Sequence, residues 1–161
     1  MLIVMTRKLW LLAIAATLTF GAAFAADKPN FTGSWKLNSA KSDFGPMPQG
    51  PEKFERKVDH KDPDMKVNTV QSMQGNERTS DVAYAIDGKE HDVTMGPTTA
   101  KVTATWKDSV LEVVAKREIQ GNAITSTEKW SLSTDGKVLT VDSVISAPQG
   151  EFAMKFVMDK Q

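Results

Sequence analysis

The sequence has 161 residues, no cysteine and a formal net charge of zero, with 20 basic and 20 acidic side chains. The lack of cysteine excludes disulfides, thiolate metal sites, thiol catalysis and lipid attachment through a cysteine. The balanced charge argues against a nucleic-acid binder, which needs a basic face.

Residues 1–25 have the pattern of a cleavable secretory signal peptide. Arg7 and Lys8 form the basic start, residues 9–20 are apolar, and residues 23–25 make an A-x-A cleavage site. Cleavage there removes two basic side chains and leaves a domain of 136 residues with a net charge of −2. We therefore expect a secreted or periplasmic protein with no stable membrane anchor.

Two alternatives concern this leader. The first is a membrane anchor, because residues 9–26 reach the lower limit for a span. The alanine content and the A-x-A site favour cleavage instead. The second is that translation starts at Met5, because Met5-Thr6-Arg7-Lys8 is a better beginning of a signal peptide than the four residues before it.

Residue shape predicts that residues 26–161 form an all-β domain. They include 29 β-branched residues against 14 leucines and alanines, and β-branched side chains favour strands. Turn signals recur every 9 to 14 residues from Asp62-Pro63 to Gln149-Gly150, as in an antiparallel meander. Alternation of polar and apolar residues predicts ten strands, at 31–38, 53–61, 64–74, 77–86, 89–95, 98–106, 109–120, 123–134, 137–146 and 151–158.

The one long connection spans residues 38–52 and contains three prolines. It has room for at most one helical turn, near residues 39–43. Two roles are open for this segment. It is either a lid that gates a cavity, with Phe44 and Met47 dipping in, or a plug that caps the interior. Long loops in compact domains are often functional, which favours the lid.

Two-residue hairpins fix which residues face each other, so the turns predict a register. The predicted pairs are Val58 with Val67, Arg56 with Thr69, Val82 with Val93, Tyr84 with His91, Arg117 with Ser126, Glu128 with Ser143, Ile145 with Met154 and Ser143 with Phe156. Each hairpin passes the apolar face to the next strand, which predicts one sheet with one inner face. Strands of even length without a long crossover favour a single antiparallel up-and-down barrel of about ten strands. The last strand should close against the first.

The first strand also carries a family motif. Gly33-Ser34-Trp35 resembles the G-x-W motif of the lipocalin-like (calycin) barrels, in which the tryptophan packs at the closed end. The stretches FTGSWKLNSAKSDFGP and KWSLSTDGKVLTV resemble small secreted bacterial lipocalin-like proteins of unknown role. The pattern departs from that superfamily because no arginine on the last strand covers the tryptophan, and Lys155 is predicted to point outward.

The predicted register turns several polar side chains inward. The candidate ligand-binding residues are Arg56, Gln71, Arg117, Ser126, Glu128, Ser143 and Phe156. Two arginines and one carboxylate leave a surplus of one positive charge, and charges inside a barrel must be paired or hydrated. The functional interpretation is a ligand with an acidic head, held by the two arginines. A predicted apolar sleeve would surround its tail, formed by Phe54, Met73, Met95, Met154 and Phe156.

Other interpretations remain open. Arg117 lies diagonal to Glu128 in the predicted register, so the pair could neutralise each other and simply fill the barrel. Binding of a small hydrophobic or amphipathic molecule outside the cytoplasm is the preferred function. A non-catalytic envelope domain with a filled core is the second, and an enzyme that uses the interior is the third. Tyr84 and His91 form a candidate catalytic or haem pair, but a core hydrogen bond explains them more simply. No catalytic, metal or cofactor motif is recognised.

Overall fold

The computed structural model describes residues 28–161, and the predicted signal peptide lies outside them. Ten antiparallel strands follow one another along the chain. They are β1 (Gly33–Leu37), β2 (Lys53–Lys61), β3 (Asp64–Met73), β4 (Asn76–Ala85), β5 (Glu90–Met95), β6 (Thr98–Lys107), β7 (Val110–Ile119), β8 (Asn122–Leu132), β9 (Val138–Ala147) and β10 (Gly150–Lys160). A short 3₁₀ turn spans Ser39–Lys41. Every predicted strand is present, and the predicted ends lie within two residues of the observed ones. Among the described residues, no helix has the length and apolar character to cross a bilayer.

The strands form one sheet in the order β4-β3-β2-β1-β10-β9-β8-β7-β6-β5. The last strand pairs with the first, so that Trp35 lies opposite Lys160 and Leu37 opposite Met158. The prediction of an all-β, up-and-down barrel of ten strands is therefore confirmed. The barrel is nearly closed, because β4 and β5 stand at the two ends of the sheet order and share no ladder.

One end of the barrel is filled by large apolar side chains. Eight are less than 2 % exposed: Phe31, Trp35, Met65, Leu111, Trp130, Leu139, Val141 and Met158. The indole Nε1 of Trp35 donates to the carbonyl oxygen of Phe31 at 2.9 Å, so its polar atom is satisfied in this apolar setting. Trp35 thus packs where the family resemblance implies.

Gly33 lets a lysine cover this tryptophan. Lys160 Nζ lies 5.4 Å from the Trp35 ring centroid, in cation–π geometry. A Cβ added at Gly33 would meet Lys160 Cε at 3.0 Å, and the φ of Gly33 is 154°. A residue with a side chain would therefore displace the lysine. Lys155, which was predicted to point outward, is exposed and lies near Asp142 on the outer face.

The predicted register is correct at two hairpins and wrong at two others. Val58 lies opposite Val67, and Glu128 lies opposite Ser143, as predicted. At the β7–β8 turn the register is shifted by two residues, because Gln120 and Gly121 both take positive φ and are the turn residues. At the β9–β10 turn Gly150 already pairs with Ala147, which gives the same shift. A shift of two keeps every side chain on its predicted face.

The predicted hairpin between β4 and β5 does not form, so Tyr84 does not face His91, nor Val82 face Val93. The connection is held by other elements instead. Ile86 N donates to Pro63 O at 2.7 Å, and Gly88 N donates to Ala104 O at 3.0 Å. The ring of His91 hydrogen-bonds to Asp87 at 2.9 Å. The two backbone bonds attach the connection to the β2–β3 turn and to β6, and β4 and β5 do not pair with each other.

His60 joins Phe31 and Thr32, which precede β1, to the filled end of the barrel. Its Nδ1 accepts a hydrogen bond from Phe31 N at 3.2 Å, and its backbone N–H is donated to Thr32 Oγ1 at 3.0 Å. The ring stacks on Phe31 and on Trp106, with centroids 5.6 and 5.9 Å away. Its Nε2 has no hydrogen-bond partner among the described residues. Burial is the main reason why the pKa of His60 lies below its ordinary value.

This lowered pKa predicts acid sensitivity. The unfolded chain takes up a proton that folded His60 resists, so the free energy of unfolding should fall as pH drops below about 6.5. His60→Gln should lower that free energy at neutral pH by about 1–2 kcal/mol. It should also reduce the loss between about pH 7 and about pH 5. Urea unfolding at several pH values measures both effects. An unchanged slope in His60→Gln would contradict the assignment.

Candidate ligand cavity

The half of the barrel beyond the filled end contains a cavity of about 370 Å³. Inward side chains of β2, β3, β4 and β7–β9 form its walls, and the β5–β6 turn borders it. Six of the seven candidate residues line it: Arg56, Gln71, Arg117, Ser126, Glu128 and Ser143. The structure therefore brings together the polar residues that the alternation of the strands had turned inward.

An ion pair across the barrel forms one boundary of this cavity. Arg56 on β2 and Glu128 on β8 are four strands apart in the sheet, and Nη2 of the arginine lies 3.8 Å from Oε1 of the carboxylate. The guanidinium carbon is 5.1 Å from the ring centroid of Phe54 and 4.9 Å from that of Trp130. Trp130 Nε1 donates to the other Glu128 oxygen at 2.9 Å. The guanidinium of Arg56 thus lies beside a carboxylate and two aromatic faces, while its Nε and Nη1 are buried without a hydrogen-bond partner among the described residues.

Neutral polar groups surround this pair. Thr69 lies opposite Arg56 and Ser143 opposite Glu128, and both are buried. Tyr84 also lines the cavity. Burial and the nearby charge of Glu128 raise the pKa of Tyr84 well above its ordinary value. The phenol therefore stays protonated at physiological pH and can donate a hydrogen bond inside the cavity.

Arg117 differs from Arg56 because no carboxylate neutralises it. Within residues 28–161 it takes part in no ion pair, and its buried Nε has no hydrogen-bond partner. The observed register explains this. Glu128 lies opposite Val113, four residues from Arg117, or about 13 Å along the strand. The alternative in which Glu128 neutralises Arg117 is therefore wrong, and Arg117 borders the cavity without a carboxylate partner among the described residues.

The predicted apolar sleeve is largely wrong, since of its five residues only Met95 lines the cavity. Phe156, the seventh candidate, instead stacks on Phe54 with ring centroids 5.3 Å apart, and it forms a T-shaped pair with Phe44, with ring centroids 6.1 Å apart. These three rings pack on each other, which keeps Phe156 out of the cavity wall. Met73 is 41 % exposed near the end of β3. The apolar lining comes from Val67, Val82, Val113, Ala115, Trp130 and Ile145.

Two features of the lining were missed from sequence. Arg78 lies opposite Gln71 on β4 and borders the cavity. The alternation along β4 would have found it, because Arg78 lies on the same face of the sheet as the candidate Gln71. Gly96 and Pro97 of the β5–β6 turn also border the cavity, and they could not be placed there without knowledge that β4 and β5 separate.

The histidines form no common site. His60 belongs to the aromatic cluster at the filled end, whereas His91 is bound to Asp87 in the β4–β5 connection. Among residues 28–161, no three side chains of the metal-binding types come together.

Comparison with known proteins shows the fold. No protein-family model and no curated protein matches the sequence. Solved structures do match. Zebrafish ileal bile acid-binding protein complexed with cholic acid is 18 % identical with a TM-score of 0.56, over 81 % of this chain and 98 % of that one. The REP1-NXSQ fatty acid transporter is 12 % identical with a TM-score of 0.54, over 81 % and 96 %.

A third match comes from a different group of proteins. A secretory abundant heat soluble protein from Ramazzottius varieornatus is 15 % identical with a TM-score of 0.58, over 81 % of this chain and 94 % of that one. These structures share the calycin-like β-barrel, and this chain has the same fold. The resemblance expected from the Gly33-Ser34-Trp35 motif is thereby confirmed at the level of the fold.

The ion pair across the barrel leads to a stability prediction. Glu128→Gln leaves the buried guanidinium of Arg56 without its counter-charge, and we expect a loss of about 2 kcal/mol in the free energy of unfolding. Adding Arg56→Met should restore part of it, because the unpaired charge is then removed. Glu118→Gln, an exposed change on β7, is the control and should stay within about 0.5 kcal/mol of wild type. Urea unfolding midpoints measure the set, and equal losses for Glu128→Gln and Glu118→Gln would refute the role of the pair.

Proposed function

We propose that the protein binds a small hydrophobic molecule with an acidic head group in its barrel cavity. The observation that carries the proposal is Arg117, a guanidinium that borders the cavity without a carboxylate partner among the described residues. The side chain is half-buried, and its Nε is buried without a hydrogen-bond partner. An anionic group of a ligand would compensate its charge. Arg56 already has a carboxylate beside it, since Glu128 lies 3.8 Å away, although its Nε and Nη1 are also buried without a hydrogen-bond partner among the described residues.

The rest of the lining fits an amphipathic ligand. Gln71 and Ser126 offer neutral hydrogen bonds, while Val113, Ala115 and Ile145 supply apolar walls. Ligand sites combine an apolar lining with a few polar anchors in this way. The cavity volume of about 370 Å³ lies near the lower end of the range for such sites, which favours one short acyl chain or a compact ring system.

The structural neighbours support the coarse part of this proposal. Two of them are described as a bile acid-binding protein with cholic acid and a fatty acid transporter, and both of these ligands are apolar molecules with a carboxyl group. The acidic head rests on Arg117 in this chain and not on the neighbours.

A pair of probes tests the head group. Octanoic acid and its methyl ester share a short tail and differ in charge. Both can be titrated by the change in tryptophan fluorescence, because Trp130 borders the cavity. Arg117→Gln should weaken binding of the acid by about 10- to 100-fold, which is the loss of one charge-assisted interaction. Binding of the ester should change by no more than about twofold.

The matched control is Lys116→Gln, which removes the same charge from the exposed face of β7 and should leave both affinities unchanged. If the Arg117→Gln protein binds the acid with the same affinity as the wild-type protein, the acidic-head proposal is refuted even if the ester binds. Binding of neither probe to the wild-type protein would favour the structural domain with a filled core.

We also propose that binding takes place outside the cytoplasm, on the basis of the signal-peptide pattern in residues 1–25. The mature N-terminus tests this. Mass spectrometry of the protein recovered from the periplasm or medium should give a chain that starts at Ala26. A full-length chain that stays in the cytoplasm would refute the proposal.

A further inference from the structure

The cavity is bordered on one side by the break in the barrel. Arg78, Thr79 and Ser80 of β4 border it there, together with Gly96 and Pro97 of the β5–β6 turn. Consecutive residues of a strand point to opposite faces of the sheet. Because Arg78 and Thr79 both border the cavity, the cavity reaches around the edge of β4 toward the outer face.

Widening this break does not require any ladder to be broken. Every other pair of neighbouring strands is joined by a ladder, whereas β4 and β5 share none. Residues 76–81, the first six of β4, are all exposed. Elements with few buried contacts and few shared hydrogen bonds open at the smallest free energy.

The long segment 38–52 is, in contrast, fastened to β10. Asp43 N donates to Lys155 O at 2.8 Å, and Lys155 N donates to Asp43 O at 2.7 Å. Ser42 Oγ accepts a hydrogen bond from Val157 N at 2.9 Å, and Phe44 packs on Phe156. A lid movement would break all of these contacts. Neither Phe44 nor Met47 borders the cavity.

We propose that the ligand enters and leaves through the break between β4 and β5, while segment 38–52 stays in place. This inference rests on the proposed function. Arg78 gives the break a positive charge at its rim, and the unneutralised Arg117 lies further in. An acidic head group is therefore attracted first at the rim and then inside the cavity, which should raise its association rate.

A disulfide tests whether segment 38–52 must move. The chain has no cysteine, so Asp43→Cys/Lys155→Cys introduces one defined pair. The two positions are bridge partners, and such partners lie about 5.5 Å apart at Cα, within the span of a disulfide. Stopped-flow association of octanoic acid, followed by tryptophan fluorescence, should have the same rate constant, within about twofold, in the oxidised and reduced forms. A drop of about tenfold or more on oxidation would overturn the proposal in favour of a lid.

A charge reversal tests the break directly. Arg78→Glu should slow association of the anionic probe several-fold at low salt and have little effect on the methyl ester. Lys116→Glu makes the same charge change on the outer face of β7 and should slow the acid less. Equal effects of the two variants would refute entry past Arg78. If neither probe binds the wild-type protein at equilibrium, the proposed function fails. If the probes bind but oxidation of the disulfide variant slows their association, only the proposed entry route is refuted.

Discussion

Arg56 reaches across the barrel from β2 to Glu128 on β8, between the rings of Phe54 and Trp130. A guanidinium at this depth is tolerable only with a counter-charge and close stacking. The pair therefore constrains what surrounds it. On one side of it the interior is filled with aromatic and aliphatic side chains, and on the other side it is open. Because Glu128 is already paired with Arg56, the cavity owes its positive charge to Arg117 and to Arg78 at its border.

The strands and their faces could be predicted from sequence because each depends on local alternation and turn chemistry. The alternation of side chains between the two faces of each strand was sufficient to turn six of the seven candidate residues toward one cavity. The exact partners depend on which two residues make each turn. At the β7–β8 hairpin the positive φ of Gln120, a residue with no strong turn signal, moved the register by two. That shift separates Arg117 from Glu128 and changes the interpretation of the site from a filled network to an unneutralised cation.

The separation of β4 and β5 could not be predicted in this way. Asp87-Gly88 is a strong hairpin signal, yet backbone bonds from Ile86 and Gly88 to neighbouring elements hold the connection open. These bonds join residues far apart in sequence, and no local pattern reveals them. The packing of Phe156 on Phe44 and Phe54 is of the same kind, since it depends on where the proline-rich segment lies. Local sequence patterns therefore predict the strands of the barrel and their inner and outer faces, but they do not predict the break between β4 and β5.

The pairing of β1 with β10 also bears on how the chain folds. It joins the beginning and the end of the described chain, with Asn38 bonded to Asp159 across 121 residues. Contacts between such distant residues carry a cost in chain entropy, because a long loop must be closed, and they slow folding. The tryptophan of the first strand receives its covering lysine only when the last strand arrives. The barrel therefore cannot close before β10 has been made.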